Sequence, residues 1–181
     1  VAANSFKANS VEDLVRMAKA REPINVALTG VTGIQALSTH LLADMAKVDL
    51  THVPYKGAGA ALPDLIAGRV DVMFDNPGSS LPFVKNGQLK LIATTGAKRM
   101  AVLPDTPTVG ETLPGFESAN WFILAAPAGT PAAVLDRLNQ AAVEAINRPA
   151  MKAMLAREGT EPLGNSRADA KKFLEVEVNK W

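Results

Sequence analysis

The sequence predicts an α/β lobe built on a five-stranded, mainly parallel sheet flanked by helices, over about residues 1–122, followed by helices over 123–181 without a sheet of their own. Three observations predict it. Short apolar runs such as Ile24–Leu28 and Val70–Phe74 have the length of strands buried on both faces. Segments of helical period stand between them, and the junctions are short and rich in Gly, Pro and Asx. Strands alternating with helices across short connections imply right-handed crossovers and a largely parallel sheet.

The elements follow in order. Ser10 with Asp13 three residues on reads as a helix start, and Val11, Leu14, Val15 and Ala18 recur at helical spacing until Glu22-Pro23. Ile24–Leu28 is the first strand and Thr29–Gly33 a loop. The next helix places Ile34, Leu37, Leu41, Leu42 and Met45 on one face. Val48–Val53 is a second strand, Gly59–Gly68 a short helix closed by glycine, and Val70–Phe74 a third strand. The turn Asp75-Asn76-Pro77-Gly78 leads to a helix around Leu81–Lys85, and Leu89–Thr95 is a fourth strand. Residues 96–115 form an ordered surface loop with Thr106 and Thr108 capping a turn before Glu111. Ser118–Ala126 is the fifth strand; helices over Ala132–Asn147, Pro149–Arg157 and from Ser166 to Trp181 complete the chain.

Hydrophobic content of 48% and charged content of 20% are those of a globular protein. A formal charge of +1 without a concentrated basic face argues against nucleic acid as a partner. Lys98-Arg99 and Lys171-Lys172 read as solvated surface. With no cysteine there is no disulfide, thiolate metal site or cysteine nucleophile. No stretch approaches the roughly 18 apolar residues of a spanning helix. The chain starts at Val1 without a leader pattern, from which the expectation is that a leader, or more, has been removed.

The stretch Ile24–Gln35 is the candidate site. A strand running through a Gly/Thr loop into a helix presents unpaired N–H groups and positive partial charge to a small anion. LTGVTG is neither a phosphate-binding Walker loop, since no Gly-Lys-Ser/Thr follows, nor a dinucleotide fingerprint in spacing. A tight turn needing both glycines at positive φ is an equal reading of the residues. Asp75 and Asn76 share the ambiguity, because Asx residues at a strand end often cap the next helix. Both features fall at the carboxyl edge of the predicted sheet, where open α/β sheets place ligands.

Other chemistry is thinner. His40 falls on the helix after the loop and His52 in the second strand, and neither a third His nor a matching carboxylate completes a metal site. Ser79 and Ser80 lack the nucleophile elbow. Trp121 and Phe122 read as core or hinge packing. No catalytic constellation, metal site or cofactor is expected.

VDLTHVPYKGAGAALPDLIAGRVDVMFDN over 48–76, LPDTPTVGETLPGFE over 103–117 and WFILAAPAGTPAAVLDRLN over 121–139 resemble the Bug family, the periplasmic solute-binding proteins of tripartite tricarboxylate transporters. Matching segments run in order from about Ser10 to the C-terminus. The resemblance implies a type II periplasmic binding-protein architecture of two α/β lobes, with a small organic anion in the cleft between them. It implies ligands that are di- or tricarboxylates, acidic amino acids or aromatic acids, held largely by backbone amides and ordered water. On matching positions it implies a ligand-binding set of Thr29, Gly30, Val31, Thr32 and Gly33 from the loop with Phe74, Asp75 and Asn76 from the strand end. The family loop usually reads Ser-Ser-Gly-Asn-Gly-Ser or Ser-Ser-Gly-Val-Gly-Ser; here Thr32 takes the place of the second glycine and Gly33 follows it.

The resemblance further implies that residues 1–122 are the second lobe and that 123–181 belong to an incomplete first lobe, with a segment on the order of a hundred residues lying upstream. Helices over 132–157 should then expose Val134, Leu135, Leu138, Ala142, Met151, Met154 and Leu155, and a homo-oligomer through these helices is the matching expectation. The functional expectation is a non-enzymatic periplasmic binding protein that hands a small organic carboxylate to membrane transporter subunits. The alternatives are a small α/β enzyme using Asp75 or His52 as base, and a ligand-presenting partner of a sensor protein.

Overall fold

The computed structural model describes residues 1–30 and 32–181, and the chain divides into two compact units, Val1–Asn120 and Trp121–Trp181. The first unit carries the sheet. Its strands are β1 (Ala2–Ala3), β2 (Asn25–Leu28), β3 (Thr51–Pro54), β4 (Val72–Met73) and β5 (Leu89–Lys90), in the spatial order β3-β2-β4-β1-β5. β2 pairs in parallel with β3 and β4, while β1 pairs antiparallel with both β4 and β5. Four of the five strands therefore point the same way, and β1 is inserted against them.

Five strands are present, as expected, but one of them is a different segment. Ser118–Ala126 forms no strand among the described residues. Its first residue gives a backbone N–H to Thr95 O at 2.8 Å, and no ladder continues from there. A strand exists through its partner's hydrogen bonds, and apolar alternation does not supply a partner. The remaining strands are shorter than their apolar runs. Leu89–Thr95 pairs only over β5, with Thr94 making an isolated bridge to Thr108 further on.

Helix starts follow local chemistry closely. α1 (Val11–Lys19) is capped by Ser10, whose hydroxyl accepts from the Asp13 N–H at 3.0 Å. α2 spans Ile34–Ala46, α3 Ala58–Ile66 and α4 Pro77–Lys85. α4 begins four residues before the predicted Leu81 because Pro77 occupies its first position, where the missing N–H costs nothing. The one-turn α5 (Val109–Thr112) carries a full capping box between Thr108 and Glu111. α2 packs against β2, α3 against β1 and β2, and α4 against β5.

The core gathers Ile24, Val26, Leu65, Val70 and Met73, all nearly inaccessible. The buried face of α2 shares Leu42 with the predicted one but is turned from it. Ala36, Ser38, Thr39, Leu42 and Ala46 are its buried residues, while Ile34, Leu37, Leu41 and Met45 are half-buried. Ser38 and Thr39 enter the core because their hydroxyls bond back to Ile34 O at 2.7 Å and Gln35 O at 2.9 Å, which satisfies both groups within the helix.

The second unit holds α6 (Ala132–Ile146), α7 (Pro149–Arg157) and α8 (Arg167–Lys180), the last capped by Ser166. No apolar residue after Phe116 is fully buried among the described residues. Val134, Leu138 and Met154 are exposed, and Leu135, Ala142, Met151 and Leu155 are half-buried. Trp121 packs edge-to-face on Phe173 at 5.4 Å, whereas Phe122, expected in a core or hinge, is 84% exposed. Glu177 is the buried charge of this unit. Its Oε2 accepts from the indole N–H of Trp121 at 3.1 Å and of Trp181 at 3.2 Å.

Candidate functional site

The carboxyl ends of β2 and β4 open toward the N-termini of α2 and α4. A small cleft of about 50 Å³ lies there, lined by Ile34, Gln35 and Ser38 of α2, Phe74, Asp75 and Asn76 after β4, and Thr95, Ser118 and Asn120 from later segments. Of the predicted site residues, Phe74, Asp75 and Asn76 line the cleft, whereas Thr29, Gly30, Thr32 and Gly33 are not among its lining residues; α2 contributes through Ile34, Gln35 and Ser38 instead. The volume of the cleft is far below the roughly 300–1,000 Å³ of a small-molecule pocket. A larger hollow of about 340 Å³ is lined by Lys7, Arg16, Met17, Ala20 and Glu22, none of them a strand-end residue.

Of the loop residues, Thr29 and Gly30 are half-buried and Thr32 and Gly33 exposed; Val31 lies outside the described residues. Only one of the two glycines needs to be glycine for its backbone angle. Gly30 has φ +150°, whereas Gly33 has φ −79° and ψ 169°, which any residue adopts. The expectation of two positive-φ glycines is thereby corrected. Gly33 serves instead as the N-cap of α2, and it brings no side chain to bond the first turn.

Two helix N-termini face the cleft region, and neither is capped by a side chain. α2 has no side-chain cap and no acidic residue in its first turn, so its leading N–H groups and positive partial charge have no partner from the helix itself. At α4, Asp75 stands just before the N-cap Asn76, and the Ser79 hydroxyl donates to Asp75 Oδ2 at 2.5 Å. Burial raises the Asp75 pKa above the ordinary carboxylate value, against the lowering effects of the Ser79 hydroxyl and the Asn76 amide. Ser80 Oγ donates to Asn76 O at 3.2 Å, which completes the turn.

The far side of the cleft comes from residues that local reading did not single out. Ser38 and Ser118 join hydroxyls at 2.6 Å in the buried floor, and Asn120 Nδ2 donates to Asn76 Oδ1 at 3.4 Å. Thr95, Ser118 and Asn120 arrive through the tertiary fold. Gln35 carries the one advance signal, since it stands two residues after the loop's last glycine in the first turn of α2. Among the described residues lining the cleft none is basic, and Asp75 is the one formal charge.

The histidines are elsewhere. His40 of α2 and His52 of the edge strand β3 meet edge-to-face with ring centroids 4.7 Å apart, both exposed, and neither lines the cleft. Partial desolvation and then the neighbouring His40 hold the His52 pKa below its ordinary value. No group of three or more metal-ligating side chains occurs among the described residues.

An α/β sheet flanked by helices, with a cleft at its carboxyl edge floored by hydroxyls and amides, is a fold of the periplasmic binding-protein type. The chain belongs to the tripartite tricarboxylate transporter family receptor family, whose model matches residues 1–181. A relative from Pseudomonas sp. strain P51, the UPF0065 protein in the tcbD-tcbE intergenic region, is 36% identical over 147 residues, covering 80% of this chain and 44% of its own. Among solved structures, R. palustris Rpa4515 with adipate superposes with a TM-score of 0.86 at 34% identity, over 99% of this chain and 61% of that one. The periplasmic binding protein BugD follows with a TM-score of 0.83 at 29% identity, over 99% and 62%. The chain spans about half the length of the first curated relatives it matches, from 44% to 49%.

Proposed function

We propose that this chain forms one wall of the binding site of a periplasmic solute-binding protein that captures a small organic carboxylate and passes it to the membrane subunits of a tripartite tricarboxylate-type transporter. The observation that carries the reading is the open N-terminus of α2 at the cleft, without a basic side chain among the described lining residues. Such a site holds an anion through backbone N–H groups and oriented dipoles. Phe74, Asp75 and Asn76 supply contacts from the lining in this reading, with Gln35 and Asn120 adding side-chain amides, and Thr29–Gly33 are proposed to approach the ligand from the loop before α2. The adipate held by the R. palustris relative supports a carboxylate as ligand class. Di- and tricarboxylates, acidic amino acids and aromatic acids are the candidates. The protein binds without turning its ligand over, and no cofactor takes part.

Isothermal titration of the protein at its full natural length against a panel of these acids tests the reading. One-to-one binding of at least one acid is expected. Silence across the panel from a protein whose circular dichroism shows it folded would sink the anion assignment.

A further inference from the structure

We propose that Asp75 is a specificity determinant of this cleft: it accepts a hydrogen bond from a hydroxyl or ammonium group on the ligand and disfavours ligands that bring only carboxylate oxygens to that point. The inference rests on the carboxylate-binding reading above and names the subclass of acid, one carrying a donor beside its carboxylate.

Asp75 is the one formally charged side chain among the described lining residues, and it is half-buried. An ionised carboxylate only accepts hydrogen bonds and has about four acceptor sites. Ser79 fills one of them at Oδ2 and the Asn76 backbone amide bears on another, so these bonds favour the ionised form against the opposing effect of burial. Acceptor capacity is left over in a cleft whose other polar groups are amides and hydroxyls.

A second carboxylate brought to this point meets like charge in a partly desolvated place, which is unfavourable. A ligand hydroxyl or ammonium there makes a charge-assisted bond instead. The neighbouring amides keep the arrangement in register, because Asn120 Nδ2 donates to Asn76 Oδ1 at 3.4 Å, which leaves the Asn76 Nδ2 protons uncommitted in that bond. The cleft therefore pairs donors for a carboxylate with one strong acceptor beside them.

The test uses matched acids that differ only in the substituent next to one carboxylate. Succinate, L-malate and L-aspartate form one set; glutarate, L-2-hydroxyglutarate and L-glutamate form the longer one. They are titrated into the full natural protein and into its Asp75→Asn variant. In at least one set the hydroxy or amino acid should bind about tenfold or more tightly than the unsubstituted acid, the effect of one hydrogen bond to a charged group. Comparison of the hydroxy and amino members identifies the donor. In Asp75→Asn the preference should shrink to within about threefold, since the amide no longer repels a carboxylate.

Equal binding of substituted and unsubstituted acids by the unaltered protein would overturn the inference even if the variant fails to fold. A preference that survives in a folded Asp75→Asn variant would overturn it as well. If both sets are silent while another carboxylate binds, the Asp75 role falls and the carboxylate reading stands; if no carboxylate binds, both fall.

Discussion

The hydroxyls of Ser38 and Ser118 meet at 2.6 Å across 80 residues of sequence, both side chains buried beneath the cleft. Ser38 has one proton and donates it to Ile34 O at 2.7 Å, so Ser118 is the donor of the pair. A short relay thus runs from Ser118 through Ser38 to the first residue of α2, and it fixes the segment before Asn120 to the helix whose N-terminus faces the ligand.

Ser38→Ala leaves the buried Ser118 hydroxyl without its acceptor, which costs about 1–3 kcal/mol. Removing both hydroxyls together should cost less than the sum of the single changes, with a coupling of about 0.5–3 kcal/mol. Urea unfolding of the two single variants and the double variant measures this, and strict additivity would show that the hydroxyls do not interact.

Gly30 and Gly33 should respond differently to alanine. At Gly30, φ +150° penalises a Cβ although the space around it is open, so Gly30→Ala should lose about 1–2 kcal/mol. At Gly33 the added Cβ meets only Gln35 Oε1 at 3.1 Å, the far end of a flexible side chain. Gly33→Ala should stay within about 0.5 kcal/mol of the parent. Equal losses at the two positions would contradict the backbone assignment.

Acid sensitivity in the 96–115 loop should trace to Glu111. Arg99 Nε and Nη2 grip its two oxygens at 2.8 and 2.7 Å, the Thr108 N–H donates to Oε1 at 2.9 Å, and together they push its pKa from 4.5 down to about 2. A carboxyl with a depressed native pKa stabilises the fold above its unfolded value, and that stability is lost as pH falls through the native one. The contribution is therefore complete above pH 4.5 and disappears toward pH 2. Carbon-detected NMR titration of Glu111 should find its midpoint near the lower value, and Glu111→Gln should flatten the pH dependence of stability in that window.

In the second unit two indole N–H groups depend on one carboxylate oxygen. Glu177→Leu removes the acceptor of both, at up to about 1–3 kcal/mol for the half-buried Trp121 donor and less for Trp181, which is exposed. Tryptophan emission of the folded variant should shift as Trp121 and Trp181 exchange a charged acceptor for other surroundings. An unchanged melting curve and spectrum would contradict the contacts.

Legibility in the sequence followed the range of the interaction concerned. Ser10, Ser166 and the Thr108/Glu111 pair mark helix starts through bonds within one turn, and each was readable from spacing alone. Ala2–Ala3 was not readable as a strand. Two alanines carry no period, and only the neighbours at Val72, Leu89 and Lys90 make them one. The reverse holds at Ser118–Ala126, where apolar residues lack a ladder to join. At the cleft, the Phe74-Asp75-Asn76 strand end was visible because strand ends announce themselves with glycine and Asx residues, whereas the glycine-bearing loop after β2 contributes none of the described lining residues. Thr95, Ser118 and Asn120 were invisible, since nothing local brings them to the cleft. α2 showed how a pattern of large residues misleads when Ser38 and Thr39 satisfy their own hydroxyls and pack inward.

The central claim is that an anion sits at the open N-terminus of α2, and backbone amide NMR of the full natural protein, titrated with the tightest-binding acid of the matched sets, tests it most directly. The largest shifts should fall on the amides of Gly33, Ile34, Gln35 and Ala36 and on the side-chain amides of Asn76 and Asn120. Shifts confined to other surfaces, such as the hollow beside Lys7 and Arg16, would contradict the account.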